Sequence, residues 1–286
     1  MLLQLFRPHP RLGAYVDSLL LQEDFASVNF ANRQPVKVLP SALAVIGIQY
    51  GSPMKSIGPR HTELLGTSGI SGLQSTFREY VATGGIGTII VRFKPGGLAA
   101  FTPYAADEFQ DANVGLELLF PPRLVADMEE RLREAATAAE RIDIVCGFLL
   151  ALLREPRDAD AWLPDAAEHI QRHRGLVSIE RLARHYYVSR RTLERRFNAI
   201  IGHTPKKFAG IARFQHAIEL KKSGSGYLDI VEACGFADQA HFVHEFRTFA
   251  GSSPEAFFRQ ARQPELAATF NEAAAADKGV SQTMYQ

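Results

Sequence analysis

Ser189-Arg190-Arg191-Thr192-Leu193-Glu194-Arg195-Arg196-Phe197, followed by Gly202, Pro205 and Phe208, has a counterpart 49 residues later. There the chain reads Asp238-Gln239-Ala240-His241-Phe242-Val243-His244-Glu245-Phe246, followed by Gly251, Pro254 and Phe257. Every interval after the first residue is the same in the two copies. A short apolar helix precedes each, around Leu182-Ala183 and around Ile230-Val231, with one extra residue in the second turn. An internal repeat constrains architecture before local propensity does. Each copy reads as helix, tight turn, helix, the unit that places a helix in the major groove of DNA.

The local chemistry supports that reading. Ile179, Leu182 and Ala183 give one apolar helical face, and the chain turns through Tyr187-Val188 to Ser189, a good N-cap. The next helix is expected to bury Leu193, Phe197 and Ile200 and to end at Gly202 in a left-handed conformation. Thr204-Pro205 starts a connecting helix, since proline at the first helical position forfeits no hydrogen bond. That helix should run to about Lys222, where Ser223-Gly224-Ser225-Gly226 breaks it. The second copy repeats the plan from Leu228 to Cys234, a Gly235-Phe236 turn, Asp238 as cap, buried Phe242, Phe246 and Phe249, and Ser253-Pro254 after Gly251.

A single amphipathic helix with exposed arginines is ordinarily a solvated face. Here two matched copies share a basic segment: residues 166–262 hold 16 Lys and Arg against 9 Asp and Glu, an excess of 7. The whole chain carries +1, which leaves −6 elsewhere. A basic module beside an acidic one is the electrostatic footprint of nucleic-acid binding, and phosphate neutralisation would supply its sequence-independent affinity.

These motifs resemble the C-terminal module of the AraC/XylS family of bacterial transcription regulators. The resemblance covers about a third of the chain and is most specific in Ala233-x-Gly235-Phe236-x-Asp238 through Phe257. It implies base-reading roles for Arg191, Glu194 and Arg195 in the first recognition helix and for Gln239, His241 and His244 in the second. Arg suits guanine, Gln adenine and Glu cytosine. It places Arg190, Arg196, Lys206 and Lys207 on phosphates, which position without specifying. Implied partners are double-stranded promoter DNA, RNA polymerase for activation, a small-molecule effector and a second copy of the chain, in the cytoplasm and nucleoid. One departure stands out: the family commonly has Arg where this chain has His244. Histidine is shorter and mostly neutral, so the second helix is expected to read bases weakly and to anchor. His241 and His244 have the spacing of metal ligands but lack a third, so no metal or other cofactor is expected.

The chain has 286 residues, enough for two domains, with ordinary values of 46% hydrophobic and 22% charged residues. No apolar run is long enough to span a membrane, and the start, Met1 to Pro8, lacks the basic region of a signal peptide. The only cysteines, Cys146 and Cys234, fall on apolar helix faces and suggest buried thiols, with a redox pair as the alternative. Short β-like runs between Gly and Pro, at Val36–Leu39, Leu43–Tyr50, Thr62–Thr67, Phe77–Val81 and Gly87–Phe93, suggest a sandwich or barrel. Such folds often enclose a small-molecule pocket. Phe93-Lys94-Pro95-Gly96-Gly97 with Phe101 resembles a motif in sensor domains of the same family. Arg78, Glu79, Tyr80 and Arg92 could line a pocket, although solvent exposure is the expected fate of charged strand residues.

Two helices, Arg123 to Ala136 and Glu140 to Leu153, carry apolar stripes that either cover the β-structure or form a dimer contact. The predicted class is thus α+β in two domains. An effector-binding and dimerisation domain at 1–153 has a β-rich part at 1–110 and a helical hairpin at 123–153. A linker at 154–164 leads to an all-α tandem helix-turn-helix domain at 165–262, with a flexible tail at 263–286.

Catalysis finds no support. Only His9 and His61 precede residue 169, far apart and without the clustered ligands of a metal-dependent oxygenase. A Ser or Cys hydrolase would have only His61 as its base, and Cys146 lies in a helical stripe. Gly84-Gly85-x-Gly87 lacks the Lys-Ser/Thr of a phosphate loop. The sequence therefore points to an effector-responsive, sequence-specific transcription regulator. Its alternatives are a constitutive DNA-binding regulator whose N-terminal part only dimerises or binds a protein, and an enzyme with a DNA-binding tail.

Overall fold

A computed structural model describes residues 2–25, 35–59, 61–154 and 158–260. The tail expected from residue 263 and the linker positions 155–157 lie outside them. The N-terminal part is two antiparallel sheets. The larger has strand order β1 (Leu2–Phe6), β2 (Val16–Asp24), β9 (Ile86–Phe93), β4 (Val45–Gln49), β7 (Ser68–Ser71) and β10 (Asn113–Gly115). The smaller runs β3 (Val36–Val38), β8 (Arg78–Ala82), β5 (Met54–Ile57) and β6 (Thr62–Leu64). Helices α1 (Pro122–Glu134) and α2 (Ala138–Leu152) follow.

β9 shows how the layers assemble, because all eight of its residues are buried. Ile89, Val91 and Phe93 join Leu19 and Leu21 of β2, Ile46 and Ile48 of β4, and Val125, Met128, Ile142, Val145 and Leu149 of the helices in one core. Each such side chain contributes about 1.5–3 kcal/mol by leaving water. The alternate residue Ile90 meets Leu20 and, across the gap, Val36 of the smaller sheet. One face of the large sheet is thus covered by helices and the other by a second sheet. This explains why Leu19-Leu20-Leu21 shows no alternation and why β2 escapes a period-two reading. The apolar patch at Leu2–Phe6 is likewise a paired strand, with Leu5 opposite Leu20. The stripes of α1 and α2 cover the sheet.

The C-terminal part is all helical: α3 (Leu163–Arg172), α4 (Ile179–His185), α5 (Arg190–Ile201), α6 (Pro205–Lys222), α7 (Tyr227–Ala233), α8 (Gln239–Ala250) and α9 (Pro254–Gln260). Two cores flank α6. Leu163, Leu182, Leu193, Phe197 and Phe208 form one, and Phe214, Ile230, Phe242, Phe246, Phe249 and Phe257 the other. The expectation that α5 buries Ile200 is corrected: Ile201 is buried, in a 193/197/201 row of four-residue steps, and Ile200 is half-buried. Cys146 and Cys234 are free, buried and in different cores, which removes the redox-pair alternative. Burial pushes the Cys234 thiol up to about 11.

The two parts meet at His203, 1% exposed. Burial, the largest influence, holds its imidazole below the ordinary histidine range, and the nearby Lys207 acts in the same direction. A hydrogen bond to the Gln74 backbone and the charge of Asp111 oppose it. Its Nε2 finds no partner among the described residues. The unfolded chain therefore takes up this proton first as the pH falls. Stability present above about pH 6.5 should be lost below it. Thermal melts at pH 7.5 and 5.5 should differ, and His203→Asn should shrink the difference; an unchanged difference would assign the effect to other groups.

Candidate nucleic-acid interface

Both copies use the same local devices. Ser189 Oγ accepts the Thr192 amide at 3.1 Å, and the Asp238 carboxylate accepts the His241 amide at 2.7 Å. Gly202 and Gly251 close the two helices at φ 100° and 74°, in the left-handed region that side chains avoid. Thr204 caps α6 by accepting the Lys207 amide, with Pro205 in its first turn. The turns also match: Val188 donates to the Ala183 carbonyl as Phe236 donates to that of Val231. In the first turn the left-handed position holds Tyr187, φ 55°, where the second holds Gly235, φ 64°. Tyr187 is 97% exposed, so no packing offsets its backbone strain. Tyr187→Gly should stabilise the fold by about 1 kcal/mol, read as a rise of a few degrees in calorimetry; a fall would deny that the position is strained.

On α5, Arg191 and Arg195 are exposed and carry no ion pair among the described residues. Arg190 is engaged on both sides, by Glu180 at 2.5 Å and Glu194 at 2.8 Å, and ties α4 to α5. These pairs are exposed and exchangeable, so DNA contacts by Arg190 or Glu194 require only their rearrangement. On α8, Gln239 and His244 are exposed. His241 is held: its Nδ1 accepts the Ala237 amide at 3.3 Å, and Nε2 faces Glu245 at 3.5 Å. Glu245 in turn grips Arg213 of α6 at 2.8 Å. Arg247, exposed one turn beyond His244, was not foreseen, although its i+3 spacing from His244 puts it on the same face.

Two expected phosphate contacts are placed elsewhere. Arg196 turns toward the start of the helical part: Nε donates to Asp160 at 2.8 Å and Nη2 to the Ala159 carbonyl. Lys207 is half-buried with its ammonium 4.6 Å from the centre of the Phe249 ring, and burial pulls its pKa down. In both cases the partners come from distant segments, so a phosphate contact would require their release. Lys206 remains exposed, as a phosphate contact requires.

The β-part holds a second candidate site, a polar chamber between the sheets. Arg78 and Arg92, expected in solvent, are 5% and 9% exposed. The physical reason is the second sheet: Val36, Tyr80 and Ser56 lie opposite one another across β3, β8 and β5, and Val36 faces the gap. Arg78 and Tyr80 share that inward side, as do Ser18, Gln22, Thr88 and Arg92 of the larger sheet, all four buried. Glu79 points the other way, 3.8 Å from Lys37. Arg92 stands 3.8 Å from Asp17, and desolvation, its largest influence, lowers its pKa. A cavity of about 90 Å³ opens beside Gly47, Glu63, Gly69, Ser71 and Asn113. Outside the chamber, a cleft of about 820 Å³ separates Tyr15 and Lys94 from Pro164 and Ile200. Among the described residues no group of three or more His, Cys, Asp or Glu could hold a metal ion, and no helix is long and apolar enough to cross a membrane.

A family described as helix-turn-helix domain matches residues 182–260, and a domain family of unknown function matches residues 4–115. The HTH-type transcriptional activator RhaS of Escherichia fergusonii is 31% identical over 141 residues, 47% of this chain and 50% of that protein. The chain thus spans about half the length of this curated relative. Among solved structures, ToxT of Vibrio cholerae bound to a naphthalenyl butenoic acid is 11% identical, with 90% of this chain and 98% of that one covered and a TM-score of 0.44. The AraC-like transcriptional activator CuxR is 13% identical, with 81% and 91% covered and a TM-score of 0.24.

Proposed function

We propose that this chain, a member of the AraC/XylS family of transcription regulators, binds promoter DNA through α5 and α8 and alters that binding when a small molecule enters its β-part. The observation that carries the reading is the pair of identically capped helices, each with an exposed polar face, joined by α6. Arg191 and Arg195 read bases in the first segment, and Glu194 does so after release from Arg190. Gln239 and His244 serve the second segment, with Arg247 beside them. His241 supports α8 through Glu245 as much as it faces DNA. Lys206 and Arg190 hold phosphates.

The effector site is the small cavity between the sheets beside Gln49, Glu63, Ser71 and Asn113, whose polar lining suits a small polar molecule. The effector shifts the arrangement of the two parts by no more than its differential affinity for them. Activation is supported by the name of the RhaS relative, a transcriptional activator, and contact with RNA polymerase is part of the same proposal. A homodimer in the cytoplasm completes the reading.

Titration of random-sequence duplex over a range of salt tests the DNA-binding face. The logarithm of affinity should fall linearly with that of salt concentration, by about 0.9 per phosphate contact. Affinity indifferent to salt would contradict the assignment.

A further inference from the structure

The last carbonyls of any helix lack partners within it. In α8 they are taken by the β-part. Thr76 Oγ1 donates to the Thr248 carbonyl at 2.9 Å, the Phe77 amide to that of Phe249 at 2.9 Å, and the Lys37 ammonium to that of Ala250 at 3.3 Å. A cation at a helix C-terminus also complements its dipole. The Phe77 ring fills the space where a β-carbon at Gly251 would stand.

The C-terminal end of α5 docks on the same block. Asn198 Nδ2 donates to Asp107 at 2.6 Å, and Gly202 sits against Ala106 and Leu73. Leu73 packs in the core of the first helix-turn-helix and Leu39 in that of the second. Residues 73–78 and 106–111 are bound into one unit. The Asp111 amide donates to Leu73, and its carboxylate accepts the Ser75 amide at 2.6 Å. Arg78 completes it, donating from Nε to Gln74 at 2.6 Å and from Nη2 to the Asp111 carbonyl, while Nη1 reaches Ser56 and Glu63. Within the C-terminal part α6 joins the two helix-turn-helices, and it carries Gly210 in its interior, a residue of low helix propensity.

We propose that the segment Leu73–Arg78 is a gauge that fixes the distance and phase between the two recognition helices, with Arg78 its positioning residue. The inference rests on the two-segment DNA-binding reading and adds to it the determinant of segment spacing. One inserted base pair moves the second segment by about 3.4 Å along the duplex and about 34° around it. A braced pair of helices cannot follow such a shift; a pair joined by α6 alone can.

The test uses the full chain and the two-segment duplex it selects, with zero, one or two base pairs inserted or removed between segments. The wild type should lose about tenfold or more per single shift. Thr76→Val with Lys37→Met removes two side-chain donors but keeps the bulk. It should lose about threefold or less per shift, with unchanged affinity for one isolated segment and an unchanged melting temperature. Asn198→Ala, which frees the other end, should relax spacing in the same way and serves if the double variant does not fold. Spacing penalties equal to wild type in these variants would overturn the gauge and leave the DNA-binding reading intact. Failure of the wild type to select any two-segment motif would instead overturn that reading, and the gauge with it.

Discussion

Truncation of Phe246 to alanine should cost about 3–5 kcal/mol and melt the second helix-turn-helix ahead of the rest. Phe246 is almost fully buried, and its ring centre lies 5.1 Å from that of Phe214, 5.8 Å from Phe242 and 5.5 Å from Phe257. It therefore joins α6, α8 and α9, and nothing flexible stands ready to fill its space. The loss is comparable with the whole stability of a small domain, about 5–15 kcal/mol. The first core, built on Leu193, Phe197 and Phe208, does not contain it. Calorimetry should accordingly resolve a new early transition, with the remaining structure melting near its original temperature. A single transition shifted by only a degree or two would mean that this cluster does not hold the second unit together.

Arg195→Ala should weaken binding to the cognate duplex by about 1–3 kcal/mol and relax base preference at one position. The side chain is exposed on α5 with no ion pair to give up among the described residues, so its guanidinium is available for a bidentate contact at little cost. Lys206→Ala should behave differently, lowering affinity for cognate and random duplex alike and reducing the salt slope by about 0.9. Equilibrium titrations of both variants on both duplexes, at several salt concentrations, separate the two roles. Equal losses on cognate and random DNA for both variants would remove the distinction between reading and anchoring.

What the sequence disclosed divides along the range of the interactions involved. The caps at Ser189 and Asp238, the glycine stops and the proline starts depend on neighbours within a few residues, so they are legible from spacing alone. The positions of Arg196 and Lys207 depend on Asp160 and Phe249, which no local pattern brings near them. Arg78 and Arg92 read as solvated because one strand does not reveal a second sheet across the gap. β2 was missed for a related reason, since a strand covered on both faces loses its alternation. Arg247, by contrast, was accessible to helical periodicity and required only following the His244 face one turn further.

The most direct measurement is selection of bound sequences from random duplex DNA by the full-length protein near physiological salt. Two enriched segments should emerge, centred about one helical turn apart, with the sharper preferences in the segment read by α5. Binding that depends only on salt and enriches no sequence would contradict the assignment of α5 and α8 as recognition helices.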